Sequence, residues 1–157
     1  MNPRQFNIEA KQSSDLICRL EALRLFAKHP KYKAVLAEDF YPDDERAEFR
    51  VDILLIDRST GAHTHNLEVE MKRAWKHSFP FHDIQFLPRK MEKWDDPVFT
   101  YGRPTHWLLF NHDASQHLVV FDSVIRNTSE LRWVKCQVRG MEQLYCIPKQ
   151  HAKFNYL

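Results

Sequence analysis

Two neighbouring segments constrain this chain more than anything else in it. Residues 48–57 read E-F-R-V-D-I-L-L-I-D, aliphatic and β-branched on both faces from Val51 to Ile56, the pattern of a strand covered on two sides. One acid, Asp52, interrupts that run. After the turn chemistry of Arg58-Ser59-Thr60-Gly61-Ala62, residues 66–72 alternate strictly, with Leu67, Val69 and Met71 on one side and Glu68, Glu70 and Lys72 on the other. A hairpin centred on Gly61 sets Asp52 directly opposite Glu70, with Cβ atoms roughly 5 Å apart, while the long loop from Asp57 to Asn66 leaves room for a shift of one pair or a bulge. Two carboxylates that close repel each other unless a cation lies between them, and hard divalent ions such as Mg²⁺ or Mn²⁺ take carboxylate oxygens readily. Lys72 then falls on the same face as Glu70, within reach of whatever the acids hold.

The rest of the chain supplies elements to support such a hairpin. Leu16, Ile17, Leu20, Leu23 and Phe26 predict an amphipathic helix over 13–29, capped by Ser13, Ser14 or Asp15 and ended by His29-Pro30. Residues 33–40 read as a strand or an irregular connection, and 41–44 as a loop. Pro88 suits the first turn of a helix over 89–95, with 81–87 extended or a turn. Strands are expected at 106–111 and 117–121, a short helix at 123–127, and a hairpin formed by 131–138 and 142–147 around Arg139-Gly140. No repeat or linker divides the sequence, so residues 1–157 are expected to form a single α/β (α+β) domain.

Composition removes several function classes. Three glycines and no GxGxxG or GxxxxGK[ST] string argue against a glycine-rich phosphate loop. A net charge of +2 permits a polyanionic partner without demanding one. Cys18, Cys136 and Cys146 show no CxxC spacing and read as buried free thiols. No apolar run approaches membrane-spanning length and no signal peptide is visible, so a soluble, cytoplasmic protein with no membrane partner is expected. The histidines, among them His63, His65, His77, His82, His106, His112 and His117, fit no metal-site spacing and read as scattered surface residues.

V-D-I-L-L-I-D followed by L-E-V-E-M-K-R resembles the D-x(n)-E-x-K signature of the PD-(D/E)xK, or restriction-endonuclease-like, nuclease superfamily. The family's order of helix, Asp strand, E-x-K strand and helix is similar to 13–29, 49–57, 66–72 and 89–95, and the likeness runs from residue 13 to about 121. Val51 stands where the family often has proline. The resemblance implies a restriction-endonuclease-like core, a central mixed sheet flanked by helices in αβββαβ order, with Mg²⁺ (or Mn²⁺) as cofactor. It implies metal-dependent hydrolysis of phosphodiester bonds in DNA, with Asp52, Glu70 and Lys72 catalytic. Asp52, Glu70 and the Met71 backbone carbonyl would be metal ligands, with Glu21 and Glu68 as further members of the set. Arg73, Lys76, Gln85, Arg89, Lys90 and Lys93 are the candidate nucleic-acid contacts, with Trp75 and Trp94 available for stacking. A homodimer is plausible, because a two-strand cut needs two sites. The alternatives are a nuclease fold that has lost its chemistry and binds nucleic acid or protein, and a structural subunit of a larger assembly.

Overall fold

Strand alternation sorts the apolar side chains onto the two faces of one mixed sheet. A computed structural model describes residues 3–40, 51–96, 102–136 and 140–157, with side chains from residue 13 onward except at Cys136. In chain order the elements are α1 (Pro3–Ala27), β1 (Tyr32–Leu36), α2 (Ala37–Phe40), β2 (Ile53–Asp57), β3 (His63–Met71), β4 (Asp83–Phe86) and α3 (Pro88–Glu92). Then follow β5 (His106–Phe110), β6 (His117–Phe121), α4 (Asp122–Thr128), β7 (Glu130–Cys136), β8 (Gly140–Pro148) and β9 (Lys153–Phe154). Six strands form one sheet in the order β1-β2-β3-β5-β6-β9, and β4-β8-β7 form a second. In the larger sheet β3 and β5 run parallel while its other pairs are antiparallel.

The central strands are apolar on both sides because both sides are covered. Leu108 and Phe110 of β5 pack with Ile53, Leu55, Leu67 and Val69 beneath Cys18, Ala22 and Phe26 of α1. Trp107 and Leu109 point the other way, into a cluster with Ile84, Phe86, Met91, Leu118, Ile125 and Ile147. A third cluster joins Leu54 and Ile56 to Val51, Ala37 and Trp94. The parallel pairing of β3 with β5 requires a crossover, and β4 and α3 lie on it. That crossover roofs the face of β3 carrying Glu68 and Glu70.

The expected mixed sheet with flanking helices is present. Pro88 opens α3 as predicted, and Gly140, at φ +74°, begins β8 and pairs with Cys136 of β7 in the expected hairpin. The helix over 13–29 differs. It begins at Pro3, so Ser13, Ser14 and Asp15 lie inside α1 rather than at its cap. Its buried stripe is Cys18, Ala22 and Phe26, while Leu16, Ile17 and Leu20 are exposed. The buried residues follow a four-residue stride, with the small Cys18 and Ala22 and the larger Phe26 against the sheet. Residues 41–44, the 48–50 start of the acid-bearing strand, and Val138 and Arg139 of the hairpin lie outside the described residues. No helix among the described residues is long and apolar enough to cross a membrane.

Candidate functional site

The β2–β3 turn sets which acid meets Asp52. Asp57 closes it, its Oδ1 accepting from the backbone and hydroxyl of Ser59 and from Thr60 N, while Gly61 takes a positive φ and donates to the Asp57 carbonyl. Ile56 pairs with His63 but Leu55 pairs with His65, so Thr64 is an extra residue bulged out of β3. Beyond it Leu54 pairs with Asn66 and Ile53 with Leu67. Continued by one residue, this register sets Glu68 opposite Asp52, not Glu70 as a hairpin centred on Gly61 requires. The turn sits earlier than Gly61 because Asp57 folds the loop onto itself.

Asp52 lies just before β2, where the ladder has ended, and its carboxylate replaces what the ladder would have supplied. Oδ2 accepts from Val69 N at 3.1 Å, and Oδ1 accepts from Arg19 Nε at 3.1 Å and Nη2 at 2.8 Å. Glu70, one step along the polar face of β3, has Lys72 Nζ at 3.1 Å from Oε1 and Lys90 Nζ at 3.7 Å from Oε2. Lys72 also donates to the Gln85 carbonyl at 2.7 Å. The Glu70 and Lys72 side chains are only 17% and 22% exposed. Burial alone would raise the Glu70 pKa, but Lys72 and Lys90 outweigh it and hold the group below its ordinary value. Glu68 goes the other way: burial first, then the adjacent Asp52 charge, push its pKa well above the carboxylate range, against Lys93 and Lys90. Glu68 and Glu70, two acids on one covered patch of sheet, thus shift in opposite directions, a pattern concentrated at functional sites.

Thus Asp52, Glu68, Glu70 and Lys72 come together, joined by Lys90 and Lys93 from the α3 region. Met71 closes β3 with its side chain against the α1 cluster. Glu21 is not brought to the acids; it pairs with Arg24 one turn along α1. Gln85 meets Lys72 through its backbone rather than its amide. Arg73, Lys76 and Arg89 are exposed, Arg73 reaching Ser14 of α1. Trp75 and Trp94 are fully buried and cannot stack on a base. Trp75 donates to the His77 carbonyl, while Trp94 Nε1 has no hydrogen-bond partner among the described residues. Sequence reasoning missed Arg19 and its neighbour Asp15, whose charge Arg19 feels. Asp15 and Arg19 are four residues apart on the face of α1 next to Cys18, and that spacing was the available signal.

No family model matches this chain, and no curated protein is significantly similar to it. The site therefore has to be judged on its own chemistry.

A hard divalent cation fits part of this donor set. Glu70 Oε2 is buried without a hydrogen-bond partner among the described residues, Lys90 lying 3.7 Å away. Burial and the Asp52 charge favour the acid form of Glu68, and a cation would draw it toward the charged form. Set against this, no three His, Cys, Asp or Glu side chains among the described residues stand so that they could hold an ion as they are. Arg19 occupies one Asp52 oxygen and Val69 N the other.

The Glu68 shift has a sign that stability measurements can read. A carboxyl whose folded pKa is raised binds more protons folded than unfolded, so its contribution is greatest below the unfolded value and declines as pH rises toward the folded one. Glu68→Gln mimics the protonated acid and escapes that decline. We expect this variant to match the parent near pH 4 and to be the more stable of the two at pH 7–8 in urea titrations; a gap that is constant across pH would contradict the assignment.

Proposed function

We propose that this chain is a divalent-metal-dependent nuclease of the PD-(D/E)xK type, hydrolysing phosphodiester bonds in DNA. The observation that supports this reading is the covered patch on which Asp52, Glu68 and Glu70 meet Lys72, a grouping that costs stability to bury and that a core would replace with apolar side chains. Asp52, Glu68 and Glu70 would hold Mg²⁺ or Mn²⁺, with Arg19 releasing Asp52 and Glu68 giving up its proton. When bound, such an ion supplies an activated water and charge neutralisation at phosphorus. Lys72 is held by Glu70 and the Gln85 carbonyl, so its ammonium is fixed in place to stabilise negative charge growing on the phosphate. The exposed Arg73, Lys76 and Arg89 are suited to contacts with phosphates along the strand. Proton displacement from Glu68 makes metal affinity rise with pH.

A second reading is favoured by one observation. Arg19, Lys72, Lys90 and Lys93 already neutralise the acids without any metal, as in a nuclease fold that has lost its chemistry and binds nucleic acid or protein. The two readings separate on single-stranded, duplex and branched DNA incubated with Mg²⁺ or Mn²⁺ and with EDTA. Cleavage that needs the metal is expected. DNA binding without cleavage at any metal concentration would favour the inactive fold.

A further inference from the structure

On the face of β3 opposite Glu70, a cavity of about 280 Å³ opens between the end of α1 and strands β3, β5 and β6. Leu55, Leu67, Leu108 and Val119 form its floor, and the rings of Tyr32, Phe121 and Tyr156 stand around it. Far from being scattered, His29, His65 and His106 all line it, with the His65 and His106 rings 5.3 Å apart.

The tautomers of two of these imidazoles are assigned from the hydroxyls beside them. With the Thr64 hydroxyl donating to the Leu55 carbonyl at 3.2 Å, its oxygen accepts from His65 Nδ1–H at 2.8 Å. The Thr105 hydroxyl donates to the Asn66 carbonyl and likewise accepts from His106 Nδ1–H, at 2.8 Å. Burial holds both rings below the ordinary histidine pKa, His106 at about 4, so both are neutral near pH 7. Each therefore keeps a bare Nε2 lone pair with no partner among the described residues. Lys153 adds an ammonium over the Phe121 and Tyr156 rings, and no carboxylate side chain among the described residues pairs with it.

We propose that this cavity binds a small planar aromatic anion carrying an amino or hydroxyl donor. The ring lies against the apolar floor, the donor group meets the Nε2 atoms of His65 and His106, and the negative substituent meets Lys153. Aromatic walls with a few converging polar atoms are the usual make-up of a small-ligand site. Two imidazole acceptors left bare call for a donor, and the uncompensated ammonium calls for an anion. An aminobenzoate and a cytosine nucleotide share this chemistry. The proposal is independent of the nuclease reading, since it uses the other face of the sheet and none of the acids.

Calorimetry and imidazole ¹⁵N spectra of the whole chain test it, with 4-aminobenzoate as the probe. We expect saturable binding that shifts the Nε2 signals of His65 and His106. Benzoate, lacking the donor, and aniline, lacking the charge, should each bind about tenfold more weakly, because each leaves a polar group of the site unpaired. Lys153→Met, an exposed position, should weaken 4-aminobenzoate about tenfold and leave aniline unchanged. Cytidine 5′-monophosphate serves as the nucleotide arm; tighter binding than 4-aminobenzoate assigns the site to a nucleotide and weaker binding to a free aromatic acid, both within the proposal. Benzoate binding as tightly as 4-aminobenzoate would overturn it. So would histidine signals that stay in place with every aromatic, or that move only with Zn²⁺.

Discussion

In a chain carrying Lys72→Met, metal-dependent cleavage should fall by about 10²- to 10³-fold, the usual loss when one charge-stabilising donor is removed. The midpoint of urea unfolding should fall as well. Glu70 is buried, and without Lys72 its nearest cation is Lys90 at 3.7 Å, so an uncompensated carboxylate remains under β4 and α3. Breaking a buried pair from one side costs about 3–5 kcal/mol, and the surviving Lys90 should hold the loss near the lower end. Adding Glu70→Gln to the same chain removes the stranded charge. Most of the stability should return in the double variant while activity stays lost. Recovery of both together would mean that Lys72 acts only by keeping Glu70 in place.

Asp52→Asn should be as damaging to activity, again by about 10²- to 10³-fold, through a different route. The carboxylate accepts three hydrogen bonds, two from Arg19 and one from Val69 N. An amide can serve only one of those directions, because its nitrogen cannot accept. Arg19→Met gives the informative contrast. It removes the group that competes with a cation for Asp52 Oδ1, and a hydrogen bond to a charged group is worth about 1.5–3 kcal/mol. The Mn²⁺ concentration giving half-maximal cleavage should therefore drop about tenfold in Arg19→Met, whereas Asp52→Asn should stay about 10²- to 10³-fold slower at every Mn²⁺ concentration. If Arg19 and Asp52 were a structural pair only, the two variants would lose stability alike and shift no metal dependence.

What could be read in the sequence, and what could not, follows the range of the interactions. Val51 to Ile56, as an unbroken β-branched and aliphatic run around one acid, and Leu67 to Met71, by alternation, announce their strands because both signals depend only on neighbours. Pro88 at the start of α3 and Gly140 at the start of β8 are local for the same reason. The register between β2 and β3 was not legible. It hangs on Asp57 gathering the turn and on the extra residue Thr64, and together these exchange Glu70 for Glu68 as the neighbour of Asp52. Arg19 was hidden because its partner lies 33 positions away and it looks like any other charge on a helix. Trp75 and Trp94 read as surface platforms because they stand among basic residues, yet each fills a cluster built from distant strands. The histidine cavity was equally invisible. Parallel pairing of β3 and β5 sets Leu67 beside His106, so His65 and His106, 41 positions apart, share one face.

The account rests on the acids of β2 and β3 being able to hold a cation, and a structure determined at saturating Mn²⁺ with anomalous scattering tests that most directly. A manganese peak bound by Asp52 together with Glu68 or Glu70, with the Arg19 guanidinium withdrawn, is the predicted result. An intact Arg19–Asp52 pair with no anomalous density beside these carboxylates would contradict it.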